Sequence, residues 1–153
     1  MSRFCEAVAE ITGLNAEDCQ PGLQALSPTD RQRVICQDAR LLDGSLCLDR
    51  ALAQSDPQAA RWDYGIGLRK GRHTLAIWME VHPARSGSDV QSMLAKVHWL
   101  KTRLGESPRL QSMTQGPFRW IASGKVKIPR TGSWARQLNK NGISHPQETL
   151  RLS

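Results

Sequence analysis

Two neighbouring segments of this chain alternate apolar residues with polar or small ones, which is the repeat of a β-strand. The segments span residues 61–68 and 73–82, and a turn at Lys70-Gly71 separates them. A two-residue turn at this place pairs Arg69 with Arg72. The pattern predicts a β-hairpin with one continuous apolar face. That face would consist of Trp62, Tyr64, Ile66, Leu68, Leu75, Ile77, Met79 and Val81.

The opposite face of the predicted hairpin carries two acids. In this register Asp63 lies opposite Trp78, and Arg61 lies opposite Glu80. Asp63 and Glu80 are then diagonal neighbours on one face, roughly 7–8 Å apart. Two carboxylates at such a separation can share a hard divalent cation. We therefore predict that Asp63 and Glu80 bind Mg²⁺ or Mn²⁺. The alternative is that Glu80 forms an ion pair with Arg61.

Charge is distributed unevenly along the chain. Residues 1–60 contain five Lys or Arg and nine Asp or Glu, a net charge of −4, whereas residues 61–153 contain sixteen and five, a net charge of +11. A basic half with two acids on one sheet face indicates an anionic partner, and nucleic acid is the commonest one. DNA and RNA are not distinguished. The basic residues predicted to contact phosphates are Arg61, Lys125, Lys127, Arg130 and Arg136.

Length and periodicity predict one α/β domain. Apolar residues at helical spacing predict a helix over 89–104, and residues 118–122 read as a strand. A strand–helix–strand step implies a parallel, right-handed crossover, so the central sheet is expected to be mixed and flanked by helices. Residues 1–58 form an acidic, mainly helical part, including a helix over 44–54, and 59–153 form the basic α/β core. Residues 106–117 are predicted to be a loop.

Composition also suggests a compartment. No apolar run approaches the ~20 residues of a membrane span, and the start of the chain lacks the apolar stretch of a signal peptide. We therefore expect a cytoplasmic protein without a membrane partner. The four cysteines have no Cys-x-x-Cys spacing and are predicted to be reduced thiols rather than zinc ligands.

The order of these motifs resembles the PD-(D/E)XK nuclease superfamily. Asp63 matches the aspartate of that pattern, and Glu80-Val81-His82 matches its (D/E)XK, with a helix and a strand following, over about residues 59–122. The resemblance implies a restriction-endonuclease-like fold and metal-dependent hydrolysis of phosphodiester bonds. It also implies an additional acid from an N-terminal helix, for which Glu6 and Glu10 are candidates.

The chain departs from the pattern at the lysine, which is replaced by His82. Some members carry the lysine on a neighbouring element, and Lys96 lies at a height similar to that of Glu80 if the 89–104 helix covers the Glu80 face. His82 or Lys96 is then expected to orient water or to stabilise developing charge. Two alternatives stay open: a nuclease-like domain that binds nucleic acid or a protein without cutting, and a structural or regulatory homodimer.

Overall fold

A five-stranded mixed sheet forms the centre of the protein. The computed structural model describes residues 2–153. Its strands run in the order β1-β3-β4-β5-β6, and all neighbours are antiparallel except β5 and β6, which are parallel. A separate two-stranded parallel sheet joins β2 to β7. The strands are β1 (Cys19–Gln20), β2 (Val34–Cys36), β3 (Leu42–Cys47), β4 (Tyr64–Lys70), β5 (His73–His82), β6 (Arg119–Ala122) and β7 (Leu150–Leu152).

Short helices and one long helix surround the sheet. They are α1 (Arg3–Val8), α2 (Pro28–Arg31), α3 (Leu48–Ala51), α4 (Gly87–Leu104), α5 (Pro108–Met113) and α6 (Ser133–Lys140). Within residues 2–153, none of them has the combination of length and hydrophobicity that crossing a bilayer requires. The mixed sheet and its flanking helices confirm the predicted α/β class.

The predicted hairpin is present, but its register was wrong by two residues. Lys70 pairs with His73, so the turn falls at Gly71-Arg72, where Gly71 adopts a left-handed φ of 60°. Glycine enters this conformation without the penalty that a Cβ atom imposes. A shift by two residues keeps every side chain within the strands on its predicted face.

The two faces of the sheet bury different apolar clusters. Tyr64, Ile66 and Leu68 pack with Met79 and other residues of β5 on one face, as predicted. Trp62 is the exception: it packs in the opposite cluster, where its ring lies 6.0 Å from that of Phe118. Trp62 precedes β4, so the alternation of the strand does not extend to it, and its Nε1 donates to the carbonyl of Tyr64.

Helix α4 forms the crossover between the parallel strands β5 and β6. Ser86 and Asp89 cap its N-terminus reciprocally, because each side chain accepts from the other residue's backbone N–H. Its predicted apolar stripe is buried at Val90, Met93, Val97, Leu100 and Leu104. This stripe packs in the same cluster as Trp78 and Trp120, so α4 covers the sheet face from which Glu80 projects.

Residues 2–58 contain strands as well as short helices. The segment contributes β3 to the central sheet, where a helix over 44–54 was expected, and only Leu48–Ala51 is helical there. Leu48 and Leu52 have helical spacing, and Leu48 does begin α3, but the residues before it pair with β4 as a strand. The predicted loop at 106–117 contains α5, which begins at Ser107 as its N-cap.

Cys5 and Cys19 form a disulfide, which corrects the prediction of four reduced thiols. The bond joins α1 to β1, and a Cβ atom at Gly44 would lie only 2.8 Å from Cys5 Sγ and 3.0 Å from Cys19 Sγ. Cys36 and Cys47 are free and half-buried. The sequence gives no sign of this pairing, because the two cysteines approach each other only through the packing of α1 against β3 and β1.

Candidate functional site

Asp63 and Glu80 come together where β4 begins beside the later part of β5. The backbone N–H of Asp63 donates to Glu80 Oε1 over 2.8 Å, and the N–H of Val81 donates to Asp63 Oδ2 over 3.0 Å. Each carboxylate is therefore fixed by the backbone of the neighbouring chain segment. The observed register places Asp63 directly across from Glu80, closer than the predicted diagonal arrangement.

Lys96 reaches this pair from α4. Its Nζ lies 3.1 Å from Glu80 Oε2 and donates to the carbonyl of Arg61 over 3.0 Å. Lys96 could approach Glu80 only if the helix covered the Glu80 face of the sheet, and α4 does cover that face. Lys96 is the cation beside Glu80, and no other Lys or Arg within residues 2–153 forms an ion pair with that carboxylate.

Burial shapes the electrostatics of the two acids. The Glu80 side chain is 2% exposed, whereas that of Lys96 is 21% exposed. Loss of hydration and the negative charge of Asp63 together raise the pKa of Glu80 to about 8, although the charge of Lys96 and the hydrogen bond from the Asp63 N–H oppose them. The pKa of Asp63 is also raised, chiefly by burial, against the hydrogen bond from Val81 and the charge of Lys96.

His82 lies beside the carboxylates but bonds elsewhere. Its Nε2 lies 3.4 Å from Asp89 Oδ1, and its ring packs 6.4 Å from the ring of Trp120. Burial lowers the pKa of His82, the nearby charge of Lys96 lowers it further, and Asp89 opposes them. Asp89 is a contact that the sequence reasoning missed, although an acid in the first turn of the next helix is a visible signal.

Arg61 does not pair with Glu80, so that alternative was wrong. Its Nε lies 3.0 Å from Asp49 Oδ1, and its guanidinium also donates to the backbone carbonyls of Asp49 and Asp56. The side chain is 18% exposed and braces the segment that leads into β4. The two-residue change of register explains the difference, because Arg61 no longer lies across from Glu80.

Glu6 and Glu10 do not join the carboxylate pair. Glu10 accepts from Ser107 over 2.6 Å and from Arg109 over 3.1 Å, and Glu6 lies 3.9 Å from Arg109. These contacts hold α1 against α5. Across residues 2–153 no three His, Cys, Asp or Glu side chains form a group that could hold a metal ion. The expected third acid is therefore not supplied by these two residues.

The four other predicted phosphate contacts lie on the surface near α6. Lys125, Lys127, Arg130 and Arg136 are all exposed. Arg130 and Arg136 line a groove of about 640 Å³, and Lys125 lines an adjoining depression of about 470 Å³ that also includes Arg130. Lys127 lines neither of them. The sequence predicted these cations as phosphate contacts, but it did not indicate that a concave surface brings three of them together with His145.

The donor set suits a hard cation of the magnesium type. Mg²⁺ commonly takes one or two carboxylates and completes its shell with water and substrate phosphate. Asp63 and Glu80 are two such side chains, and in their ionised forms each oxygen that already accepts one hydrogen bond has a second lone pair.

The chain matches no protein-family model, no curated protein and no solved structure. A function can therefore be inferred only from the geometry of this site.

Proposed function

We propose that this protein is a divalent-metal-dependent nuclease that hydrolyses phosphodiester bonds of nucleic acid at the Asp63–Glu80 pair. One observation carries the proposal: a lysine from the crossover helix meets a buried carboxylate that a second acid adjoins across the hairpin. The order of β4, β5, α4 and β6 around these residues supports the resemblance to PD-(D/E)XK nucleases. The restriction-endonuclease-like fold is part of this proposal.

Each of the three residues would have its own role in hydrolysis. Asp63 and Glu80 would hold Mg²⁺ or Mn²⁺, and a bound ion of this kind activates water and stabilises the charge that builds on the phosphate. Lys96 would hold its ammonium beside the scissile phosphate and neutralise part of that charge. An ammonium in a site largely shielded from water acts more strongly than one in bulk solvent, which suits this role.

Lys96 takes the part that position 82 plays in the family pattern. The Nε2 atom of His82 lies near Asp89, and the lowered pKa of His82, caused first by burial, favours the neutral imidazole. A neutral imidazole offers no permanent positive charge to a phosphate. We therefore assign His82 to positioning the end of β5 against α4, and Lys96 to the electrostatic role.

The test is cleavage of plasmid DNA, single-stranded DNA and RNA in Mg²⁺, in Mn²⁺ and in EDTA. Asp63→Asn and Glu80→Gln should abolish metal-dependent cleavage, and Lys96→Met should reduce it by about 10²-fold or more. Glu17→Gln is the matched control, because Glu17 is exposed on another part of the surface, and it should cut like the wild type. Circular dichroism would verify that each variant is folded. Undiminished cutting by the Asp63→Asn/Glu80→Gln double variant would overturn the proposal.

A second candidate is a nuclease-like domain that binds nucleic acid or a protein without cutting it. The contact between His82 and Asp89 favours this candidate, because His82 replaces the lysine of the motif and contacts Asp89 instead of the carboxylate pair. Metal-independent, salt-sensitive binding with no turnover of any of the three substrates would select this candidate.

A further inference from the structure

A long stretch of the chain carries positive charge without any acid. Residues 107–147 contain no Asp or Glu and seven Lys or Arg. Within residues 2–153, the only one of these seven that forms an ion pair is Arg109, which contacts Glu6 and Glu10. None of the other six forms an ion pair within that part of the chain, although Glu148 lines a surface depression together with Lys125 and Arg130. The six are Arg119, Lys125, Lys127, Arg130, Arg136 and Lys140.

Part of this charge lines the groove beside α6. Arg136 and Asn139 lie on its helical wall, Ser144 and His145 lie on the opposite wall, and Arg130 belongs to the segment that enters α6. Burial lowers the pKa of His145, and the charge of Arg130 lowers it further. Cationic groups and hydroxyl or amide donors thus face the same concave space, which is the composition of a phosphate-binding surface.

The groove adjoins a second depression in the surface. Arg130 and His145 also line the adjoining depression, which extends the surface to Lys125. The segment that carries Lys125 and Lys127 is fastened along the end of β5. Ser123 N–H donates to the carbonyl of His82 over 3.2 Å, and Lys127 N–H donates to that of Ala84 over 2.8 Å. The cationic surface therefore adjoins the same strand end that carries Glu80.

We propose that this groove binds the sugar–phosphate backbone of the nucleic acid, and so guides it to the Asp63–Glu80 site. The inference rests on the proposed function for the identity of the occupant. The contacts would be made by Arg130, Arg136, Lys125 and Lys127 to phosphate oxygens, which carry no sequence information. Binding is consequently expected to be independent of base sequence and strongly dependent on salt.

The test measures binding without cleavage. Fluorescence anisotropy with labelled oligonucleotides of about 20 nucleotides, as single-stranded DNA, duplex DNA and single-stranded RNA, is performed in EDTA with the full chain. Arg130→Gln/Arg136→Gln should weaken binding by at least about 10-fold and reduce the salt slope by about two. The matched control Arg40→Gln/Arg72→Gln removes the same charge from exposed positions near the hairpin turn, and it should change affinity by less than about twofold.

Three outcomes would overturn the proposal. One is an equal loss of affinity in the groove variant and in the control, which would mean that net charge alone attracts the oligonucleotide. Another is a mononucleotide that binds as tightly as the oligonucleotides, which would make the groove a small-ligand site. The third is absence of binding by the folded wild type to all three nucleic acids.

The failure of this inference can be told apart from failure of the nuclease proposal. Binding is measured in EDTA, where metal-dependent cleavage cannot occur, so the affinity of the wild type tests the groove independently of the nuclease. An inactive but tightly binding wild type would reject the nuclease and keep the groove. As an independent readout, bound oligonucleotide should raise the pKa of His145 in NMR titrations, since a nearby anion favours the imidazolium.

Discussion

The ammonium of Lys96 lies 3.1 Å from Glu80 Oε2, although one residue belongs to a helix and the other to the strand beneath it. The contact exists because α4 packs on the sheet face from which Glu80 projects, with Lys96 at the edge of its buried stripe. The Lys96 side chain spans from the helix surface to the buried carboxylate, while its head group keeps part of its contact with water. The ion pair thus couples the crossover helix to the hairpin.

The first prediction concerns stability against pH. Glu80 has a pKa of about 8 in the folded protein and an ordinary value of 4.5. Between pH 4.5 and pH 8 the folded protein therefore holds one more proton than the unfolded chain. The free energy of unfolding should therefore fall as pH rises through this window, with a contribution approaching about 1.4 kcal/mol per pH unit from this group. Glu80→Gln should remove that slope. Urea unfolding at pH 5, 7 and 9 measures it, and parallel pH profiles for the two proteins would refute the assignment.

The second prediction concerns the removal of Lys96. Lys96→Met leaves Glu80 buried without its cation, so we expect the free energy of unfolding to fall by about 2–3 kcal/mol at pH 9. The loss should be smaller at pH 6, because a protonated Glu80 does not need the ammonium. A double-mutant cycle with Glu80→Gln gives the coupling, and the combined variant should be more stable at pH 9 than Lys96→Met alone. Additive effects would show that the two side chains do not interact.

The third prediction is that metal affinity depends on pH. Binding at this site needs the Glu80 carboxylate, and its raised pKa means that a proton must leave below about pH 8. Mn²⁺ affinity should rise by up to about tenfold per pH unit between pH 6 and 8 and then level off. Calorimetry in buffers of different ionisation enthalpy would count the released proton. Glu17→Gln should show the same pH dependence as the wild type. A Mn²⁺ affinity that does not change between pH 6 and 9 would count against Glu80 as a ligand.

The fourth prediction concerns Gly67 in β4. A Cβ atom there would lie 2.6 Å from Phe4 Cβ and 2.8 Å from the carbonyl oxygen of Asp43, and neither can move without shifting backbone. Gly67→Ala should lower the free energy of unfolding by about 1–3 kcal/mol through overpacking. Gly124→Ala is the control, because its nearest neighbour is the mobile end of Arg85 at 3.8 Å. Equal unfolding midpoints in urea would contradict the close packing of α1 on β4.

The fifth prediction concerns the disulfide between Cys5 and Cys19, which closes a loop over a separation of 14 residues. Reduction should lower the free energy of unfolding by about 3 kcal/mol, chiefly because the unfolded chain gains freedom. Reduction should destabilise a Cys36→Ser/Cys47→Ser variant by the same amount, because those two thiols are free and take no part in the bond. Alkylation of the unfolded, unreduced protein should modify two cysteines, and modification of all four would show that the bond does not form.

The hairpin and α4 were predictable because each depends on a repeat within one short segment. Alternation fixes the faces of β4 and β5, and helical spacing fixes the buried stripe of α4. The register was not predictable to the residue, since both Lys70-Gly71 and Gly71-Arg72 offer a glycine for the turn and the choice depends on pairing along the whole strand. Choosing the wrong turn also produced the expected Arg61–Glu80 pair.

The remaining differences arise from contacts between distant segments. Leu48 and Leu52 have helical spacing, whereas residues 42–47 form a strand because they pair with β4. Nothing near Cys5 indicates Cys19, because their contact depends on the docking of α1. The convergence of Asp63, Glu80 and Lys96 was predictable in part, since the face of the sheet that α4 covers is settled by packing rather than by local sequence.

The pairing of β2 with β7 has a consequence for how the molecule folds. These strands come from distant parts of the sequence, and almost all of the central sheet is encoded between them. Contacts across such a span are slow to form, because a large loop must be ordered before they contribute any energy. We expect this two-stranded sheet to form last and to exchange its amide protons sooner than β4 and β5 do, so the Asp63–Glu80 pair would be assembled before β2 and β7 meet.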